Sequence, residues 1–215
     1  MTVTAKICGI NDPAAMATAV ECGASHVGLV FYPPSPRSVT AAQATELAAI
    51  AGTRAVRTGL FVDPDDRLID DVLSRVPLDL LQLHGRESAE RVRTLRRRTG
   101  RRIMKAIRVG GAADIDGAEA YLEAADWLMF DALPPKEMTN ALPGGNAVAF
   151  DWRLLAGRAW PLPWMLAGGI NIDNVAEAVQ ASSATVVDTS SGVEDAPGRK
   201  NLEKIRVFLA AVAAL

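Results

Sequence analysis

Cys8 stands where a short apolar run, Thr4-Ala5-Lys6-Ile7, meets Gly9, and Asn11-Asp12-Pro13 then reads as a helix start. A thiol at the C-terminal end of a first strand faces a loop, and strand-helix folds place their chemistry at such ends. A thiol pKa of about 8.5 leaves a few per cent thiolate at neutral pH, and a nearby cation changes that fraction. The alternative is a buried, inert thiol, a description that fits Cys22 on the first helix. Asp131 ends the apolar run Trp127-Leu128-Met129-Phe130. Partly dry surroundings would hold its carboxyl protonated, and a solvated loop aspartate is the other reading. Arg37 follows the stiff turn Pro33-Pro34-Ser35-Pro36 and is either a fork for a substrate carboxylate or a surface arginine. His84, after Gln82-Leu83, is either a ligand-facing base or a structural hydrogen-bonding group.

Two glycine-bearing turns are the most readable. Leu166-Ala167-Gly168-Gly169-Ile170-Asn171 leads from a strand toward a helix, as does Asp188-Thr189-Ser190-Ser191-Gly192-Val193-Glu194. Glycines let backbone N–H groups approach an anion, and a helix N-terminus adds positive potential. One such turn alone is a tight connection. Two, after the seventh and eighth strands, predict a phosphate site at Gly168, Gly169, Ser190, Ser191 and Gly192.

The elements that must position these groups alternate along the chain. Strands are predicted over 5–8, 26–31, 57–61, 80–83, 103–107, 127–131, 164–167 and 185–188. Helices are predicted over 13–21, 41–51, 65–75, 88–98, 113–124, 172–180 and 202–213, with a short one near 152–156. Thr40 is placed to cap the second helix, Asp63 before Pro64 to open the third, and Asn171 to open the seventh. Eight strand-helix units predict an α/β fold, a parallel eight-stranded (β/α)8 TIM barrel filling 1–215 as one domain. An open doubly wound sheet is the alternative, but no G-x-G-x-x-G follows the first strand. The irregular stretch 132–149, with Pro143-Gly144-Gly145, is long for a connection in a compact domain and falls on the active-site side of such a barrel.

The charge balance, 23 Lys plus Arg against 25 Asp plus Glu, gives a net −2 and no overall pull toward nucleic acid or anionic membrane. The run Arg96-Arg97-Arg98-Thr99-Gly100-Arg101-Arg102 carries no interleaved aromatics, so it reads as a solvated helix end before a glycine stop rather than an RNA patch. No apolar run approaches the ~20 residues that span a bilayer, and the N-terminus lacks a signal-peptide pattern. Two cysteines make no disulfide framework, which places the chain in the reducing cytoplasm. Two histidines and two cysteines without metal spacing argue against a zinc site. Oligomeric state is not written in the sequence.

Taken together, Lys6-Ile7-Cys8-Gly9-Ile10, Ser35-Pro36-Arg37, Gln82-Leu83-His84-Gly85, Phe130-Asp131, Gly144-Gly145, Leu166-Ala167-Gly168-Gly169-Ile170 and Ser190-Ser191-Gly192-Val193-Glu194 resemble the phosphoribosylanthranilate isomerases of tryptophan biosynthesis, from end to end. The resemblance implies a (β/α)8 barrel performing an Amadori rearrangement of N-(5-phosphoribosyl)anthranilate. It matches Cys8 to the general base, Asp131 to the general acid and Arg37 to the residue holding the anthranilate carboxylate. The glycine and serine turns match the phosphate site. His84 and Asp188 are expected at the substrate, Asp188 on a hydroxyl. No metal or organic cofactor is expected, because the substrate's own nitrogen serves as electron sink. Another phosphosugar isomerase and a non-catalytic phosphosugar-binding barrel are the rival readings. The chain departs from the resemblance at one point. Where the family carries a further glycine, Asn146-Ala147 stands, and alanine adopts glycine-only backbone angles at a cost.

Overall fold

The structure is a computed structural model that describes residues 2–135, Met138, Leu142 and residues 144–215. Eight parallel strands close into a barrel in chain order. They are β1 (Thr4–Ile7), β2 (His26–Val30), β3 (Val56–Phe61), β4 (Leu80–Leu83), β5 (Arg102–Val109), β6 (Trp127–Ala132), β7 (Trp164–Leu166) and β8 (Val186–Thr189). The last strand pairs with the first, with Lys6 opposite Asp188. The expected barrel is therefore the fold; the open sheet is not.

Alternation along each strand divides the side chains between two cores. Ile7, Leu81, Leu83, Leu128, Phe130, Leu166 and Val187 pack outward under the helices. Leu80, Met104, Ala106, Met129, Met165, Ala167 and Val186 fill the lumen. The same period of two carries β1 from Lys6 to Cys8, β4 from Leu80 through Gln82 to His84, and β6 from Met129 to Asp131. Inward residues beyond the apolar layers thus become the floor of the C-terminal mouth.

The helices α1 (Pro13–Glu21), α2 (Ala41–Ala51), α3 (Asp66–Leu73), α4 (Ala89–Thr99), α5 (Ala112–Asp116), α6 (Val175–Ser182) and α7 (Leu202–Ala213) cover the barrel. None is long and apolar enough to cross a membrane. Thr40 caps α2 as expected, in a reciprocal box with Gln43. Two other caps differ from expectation. Asp65, not Asp63, accepts from the Leu68 N–H at the start of α3. Asn174, not Asn171, precedes α6. Asp63 instead receives the Arg86 N–H and ties two loops together. The predicted helix 113–124 divides at Gly117, a weak helix former, into α5 and a 3₁₀ turn, Gly117–Tyr121. The arginine run ends α4 before Gly100 in the left-handed conformation, with Arg96 paired to Asp126 at 2.6 Å and Arg98 to Asp66 at 3.0 Å.

One element was not foreseen. The turn after β8 does not run straight into a helix. A 3₁₀ turn, Ser191–Val193, leads to an antiparallel hairpin, β9 (Glu194–Ala196) and β10 (Arg199–Lys200), before α7. The segment is charged and lacks strand alternation, so only Pro197-Gly198 signalled a turn. Of the stretch 132–149, residues 136, 137, 139–141 and 143 lie outside the described residues.

Candidate active site

Cys8 lies one residue past β1, almost wholly buried, with its N–H on the Thr189 carbonyl at 2.9 Å. Its neighbourhood is ionic. Lys6, on the same face of β1, is fully buried and donates to Asp188 Oδ1 at 2.7 Å. Burial disfavours the Lys6 charge, but Asp188 and Cys8 outweigh it and hold the ammonium above its ordinary range. Burial pushes the Cys8 thiol up, Lys6 pulls it back, and Asp188 pushes it up again, for a net rise. A Cβ on Gly28 would sit 2.8 Å from the Cys8 sulfur and 3.3 Å from Lys6 Cε, so the bare backbone of β2 makes room for both. Cys8 is thus neither the loop thiol nor the inert core thiol of the sequence reading, but is buried among charges. Cys22, expected to be the buried one, is exposed just past the end of α1.

Asp131 is buried with a partner on each oxygen. Oδ1 accepts from the Ala132 N–H at 2.9 Å and Oδ2 faces His84 Nε2 at 3.0 Å. The other ring nitrogen of His84, Nδ1, receives Gln82 Nε2 at 3.0 Å. A Cβ on Gly144 would meet both Asp131 Oδ2 and His84 Cε1, so the loop after β6 lies directly on this pair. Gly145, next along, comes equally close to Arg37 Nη1. Ala147, in the stretch where the resemblance led to the expectation of a further glycine, holds φ at +57°, in the left-handed conformation. Asn146 clips the same loop by bonding both the N–H and the carbonyl of Leu142.

Arg37 is not a surface arginine. Its Nε and Nη2 each donate to the Glu194 carboxylate at 2.8 Å, and Nη2 also reaches the Gly145 carbonyl at 3.3 Å. Glu194 is shared with Lys200, whose Nζ lies 2.7 Å from Oε1 and also donates to the Ser190 carbonyl at 2.9 Å. Burial opposes the Glu194 charge, but Arg37 and Lys200 hold the carboxyl below its usual range.

A small cavity of about 40 Å³ joins most of these groups: Cys8, Arg37, His84, Gly144, Asp188 and Ser190 are on its wall. Asp131 is one hydrogen bond away, on His84. A second, more open cavity is lined by Gly169, Asn171, Ser191, Gly192 and Lys204. The residues expected to hold phosphate therefore divide. Gly169, Ser191 and Gly192 line the second cavity. Gly168 packs against Ala132 and Asp131, and the Ser190 hydroxyl is bonded to the Cys8 carbonyl at 3.0 Å. Lys6, Glu194 and Lys200 were missed as site residues. The two-residue spacing of Lys6 and Cys8 signalled the first, while Lys200 arrives only through the unforeseen hairpin.

The N-(5'phosphoribosyl)anthranilate (PRA) isomerase family profile matches residues 5–211. An N-(5'-phosphoribosyl)anthranilate isomerase of Paramagnetospirillum magneticum is 58% identical over 211 residues, covering 98% of this chain and 97% of the relative. The crystal structure of phosphoribosyl anthranilate isomerase from Thermotoga maritima superimposes with a TM-score of 0.88 at 34% identity, covering 100% of both chains. A phosphoribosyl anthranilate isomerase solved in complex with reduced 1-(o-carboxyphenylamino)-1-deoxyribulose 5-phosphate gives a TM-score of 0.83 at 32% identity, again over 100% of both chains. With a match running from the first strand of the barrel into its last helix, the chain belongs to the N-(5'-phosphoribosyl)anthranilate isomerase family.

Proposed function

We propose that the protein converts N-(5'-phosphoribosyl)anthranilate to 1-(2-carboxyphenylamino)-1-deoxyribulose 5-phosphate in tryptophan biosynthesis, with Cys8 as general base and Asp131 as general acid. The observation that carries the roles is the shared cavity: the Cys8 thiol and His84, which bonds Asp131, are on one wall system that also bears Arg37. Opening the aminofuranose needs a proton on the ring oxygen as the C–O bond breaks, and Asp131 supplies it. The Schiff base so formed has an acidified C2′ hydrogen, which the Cys8 thiolate removes. The enolamine then tautomerises to the ketone. Each positioned proton transfer accelerates the step by ~10²–10⁴-fold, or about 3–5 kcal/mol.

Orientation comes from the two ends of the substrate. The phosphate suits the open cavity at Gly169, Ser191 and Gly192, where glycines leave the backbone accessible. The anthranilate carboxylate suits Arg37, whose Nη1 is not engaged by Glu194. Asp188 keeps Oδ2 for a substrate hydroxyl while Oδ1 holds Lys6. A thiol base that must stay reduced suits the cytoplasm.

The deciding experiment generates substrate in solution from anthranilate and phosphoribosyl pyrophosphate and follows the loss of anthranilate-type fluorescence. The expected result is a decay proportional to the amount of protein. Tight binding of the reduced product-like ligand without any acceleration of the decay would make the protein a binder and remove the catalytic reading.

A further inference from the structure

Among the polar groups of the lumen that the reaction above does not use, Gln82 lies nearest the proposed acid. Gln82 is fully buried on β4, between Leu80 below and His84 above. Its Nε2 faces His84 Nδ1 at 3.0 Å and the Met129 sulfur at 3.2 Å. Its carbonyl, Oε1, is buried with no hydrogen-bond partner among the described residues. A buried acceptor left unpaired is uncommon in folded proteins and asks for an explanation.

We propose that Gln82 is a positioning residue whose amide orientation follows, and stabilises, the loading of the His84–Asp131 pair with the proton that ring opening consumes. The proposal rests on Asp131 being the acid. With Nε2 of Gln82 donating to Nδ1, the single proton of the neutral imidazole is on Nε2, where it donates to Asp131 Oδ2. Asp131 is then a carboxylate, and the pair lacks the proton an acid must give. Loading adds one proton, which rests either on Asp131, donating to Nε2, or on the imidazole as imidazolium. In both forms Nδ1 carries a proton, and an Nδ1–H facing the Gln82 NH2 sets donor against donor. A half-turn of the amide replaces the NH2 with Oε1, the atom now without a partner, at the expense of the weak bond to Met129. Loading therefore satisfies the orphaned carbonyl. Protonating the ring oxygen removes one proton from the pair and returns the amide to the orientation in this structure; a proton from water reloads it.

The charged groups around the pair come from several elements. Lys105 of β5 donates to the Leu83 and Gly85 carbonyls and to Glu87. Arg108 of β5 is opposite Asp131 in the strand register. Asp63 packs against Gly85, and Arg37 is across the Gly145 backbone. Cys8 and Asp188 line the same cavity as His84, with Lys6 held on Asp188. All of these remain in place when only Gln82 is changed, so a displaced pH limb reports Gln82.

The test is the pH dependence of kcat for Gln82→Glu and Gln82→Met. A carboxylate at 82 accepts from Nδ1–H and favours the loaded pair, so the fall of kcat with rising pH moves up by about one unit. Methionine removes both the NH2 that favours the unloaded pair and the carbonyl that favours the loaded one, so its limb moves less than that of Gln82→Glu, with KM within about twofold. Lower kcat at every pH with the limb unmoved would reduce Gln82 to packing and overturn the proposal. Nitrogen-15 NMR of the unaltered protein gives a reading that needs no variant to fold, since the only other histidine is His26. The expected result is an Nε2–H imidazole above the limb, gaining its Nδ1 proton through it, with the Gln82 amide signals moving in the same titration. An Nδ1–H imidazole above the limb, or static Gln82 signals, would also overturn it. Wild-type turnover in Asp131→Asn would remove the underlying assignment of the acid, whereas an inactive Asp131→Asn with unmoved Gln82 limbs would remove the Gln82 role alone.

Discussion

The two sides of the barrel mouth are built from opposite materials. On the β8–β1 side the thiol sits among full charges: Lys6 on Asp188, and Lys200 on Glu194, which in turn holds Arg37. On the β4–β6 side the carboxyl ends a hydrogen-bonded chain, with the Ala132 N–H on one oxygen, His84 on the other and Gln82 behind His84. The difference matches what the proposed reaction asks of each group. A buried thiol is disfavoured as a thiolate, and the nearby cations counter part of that penalty. A carboxyl that is to deliver a proton needs partners that can hydrogen-bond either of its protonation forms, as an imidazole does. One lumen serves both because adjacent strands supply different inward residues at the same height.

Removing either reacting group is the strongest way to break this contrast. Cys8→Ala and Asp131→Asn should each cut kcat by at least ~100-fold while the circular dichroism of the barrel persists. Wild-type-like turnover in one of them would show that its side of the mouth is not catalytic. Next comes the ionic support of the thiol. In Lys6→Met the burial of Cys8 and the charge of Asp188 both push the thiol up with nothing from Lys6 to oppose them. The thiolate should then form only at higher pH, so the midpoint of iodoacetamide alkylation rises by about a unit or more, and activity lost at pH 7 partly returns at pH 9. Unpaired Asp188 should also destabilise the fold by ~3–5 kcal/mol in urea titration, and Lys6→Met with Asp188→Asn should recover most of it. An unmoved alkylation midpoint would mean that the cation does not act on the sulfur.

Arg37→Ala should raise KM by about tenfold or more with kcat within about threefold, the signature of a lost binding contact. A depressed kcat with unchanged KM would instead tie Arg37 to the chemistry, through Glu194 or the Gly145 backbone. The smallest effect concerns the loop joining the two sides. Ala147→Gly relieves a left-handed alanine and loosens the unfolded chain, for a net gain of about 0.5–1 kcal/mol. That should appear as a rise of about 2 °C in the melting temperature with turnover unchanged. A lower melting temperature would mean that the loop tolerates its alanine without strain.

Much of this was legible one element at a time. The eight apolar runs and their caps are local signals, as Thr40 with Gln43 shows, and the period of two in Lys6–Cys8, Gln82–His84 and Met129–Asp131 already fixes which residues share a face. The hairpin at 194–200 was not legible, because its pairing is held by contacts rather than by alternation: Lys200 on Ser190, Glu194 on Arg37, and the Gly198 backbone against Pro36.

The sequence by itself determined the barrel, the family and the identity of the thiol, the carboxyl and the guanidinium, since each depends on short-range pattern and residue type. Tertiary structure alone decided what surrounds them. Lys6 meets Asp188 across 182 positions of chain and Arg37 meets Glu194 across 157, and only closing the barrel brings β8 against β1. The protonation of a buried group is set by the charges within a few ångströms of it, and those neighbours come from strands that the local sequence does not name.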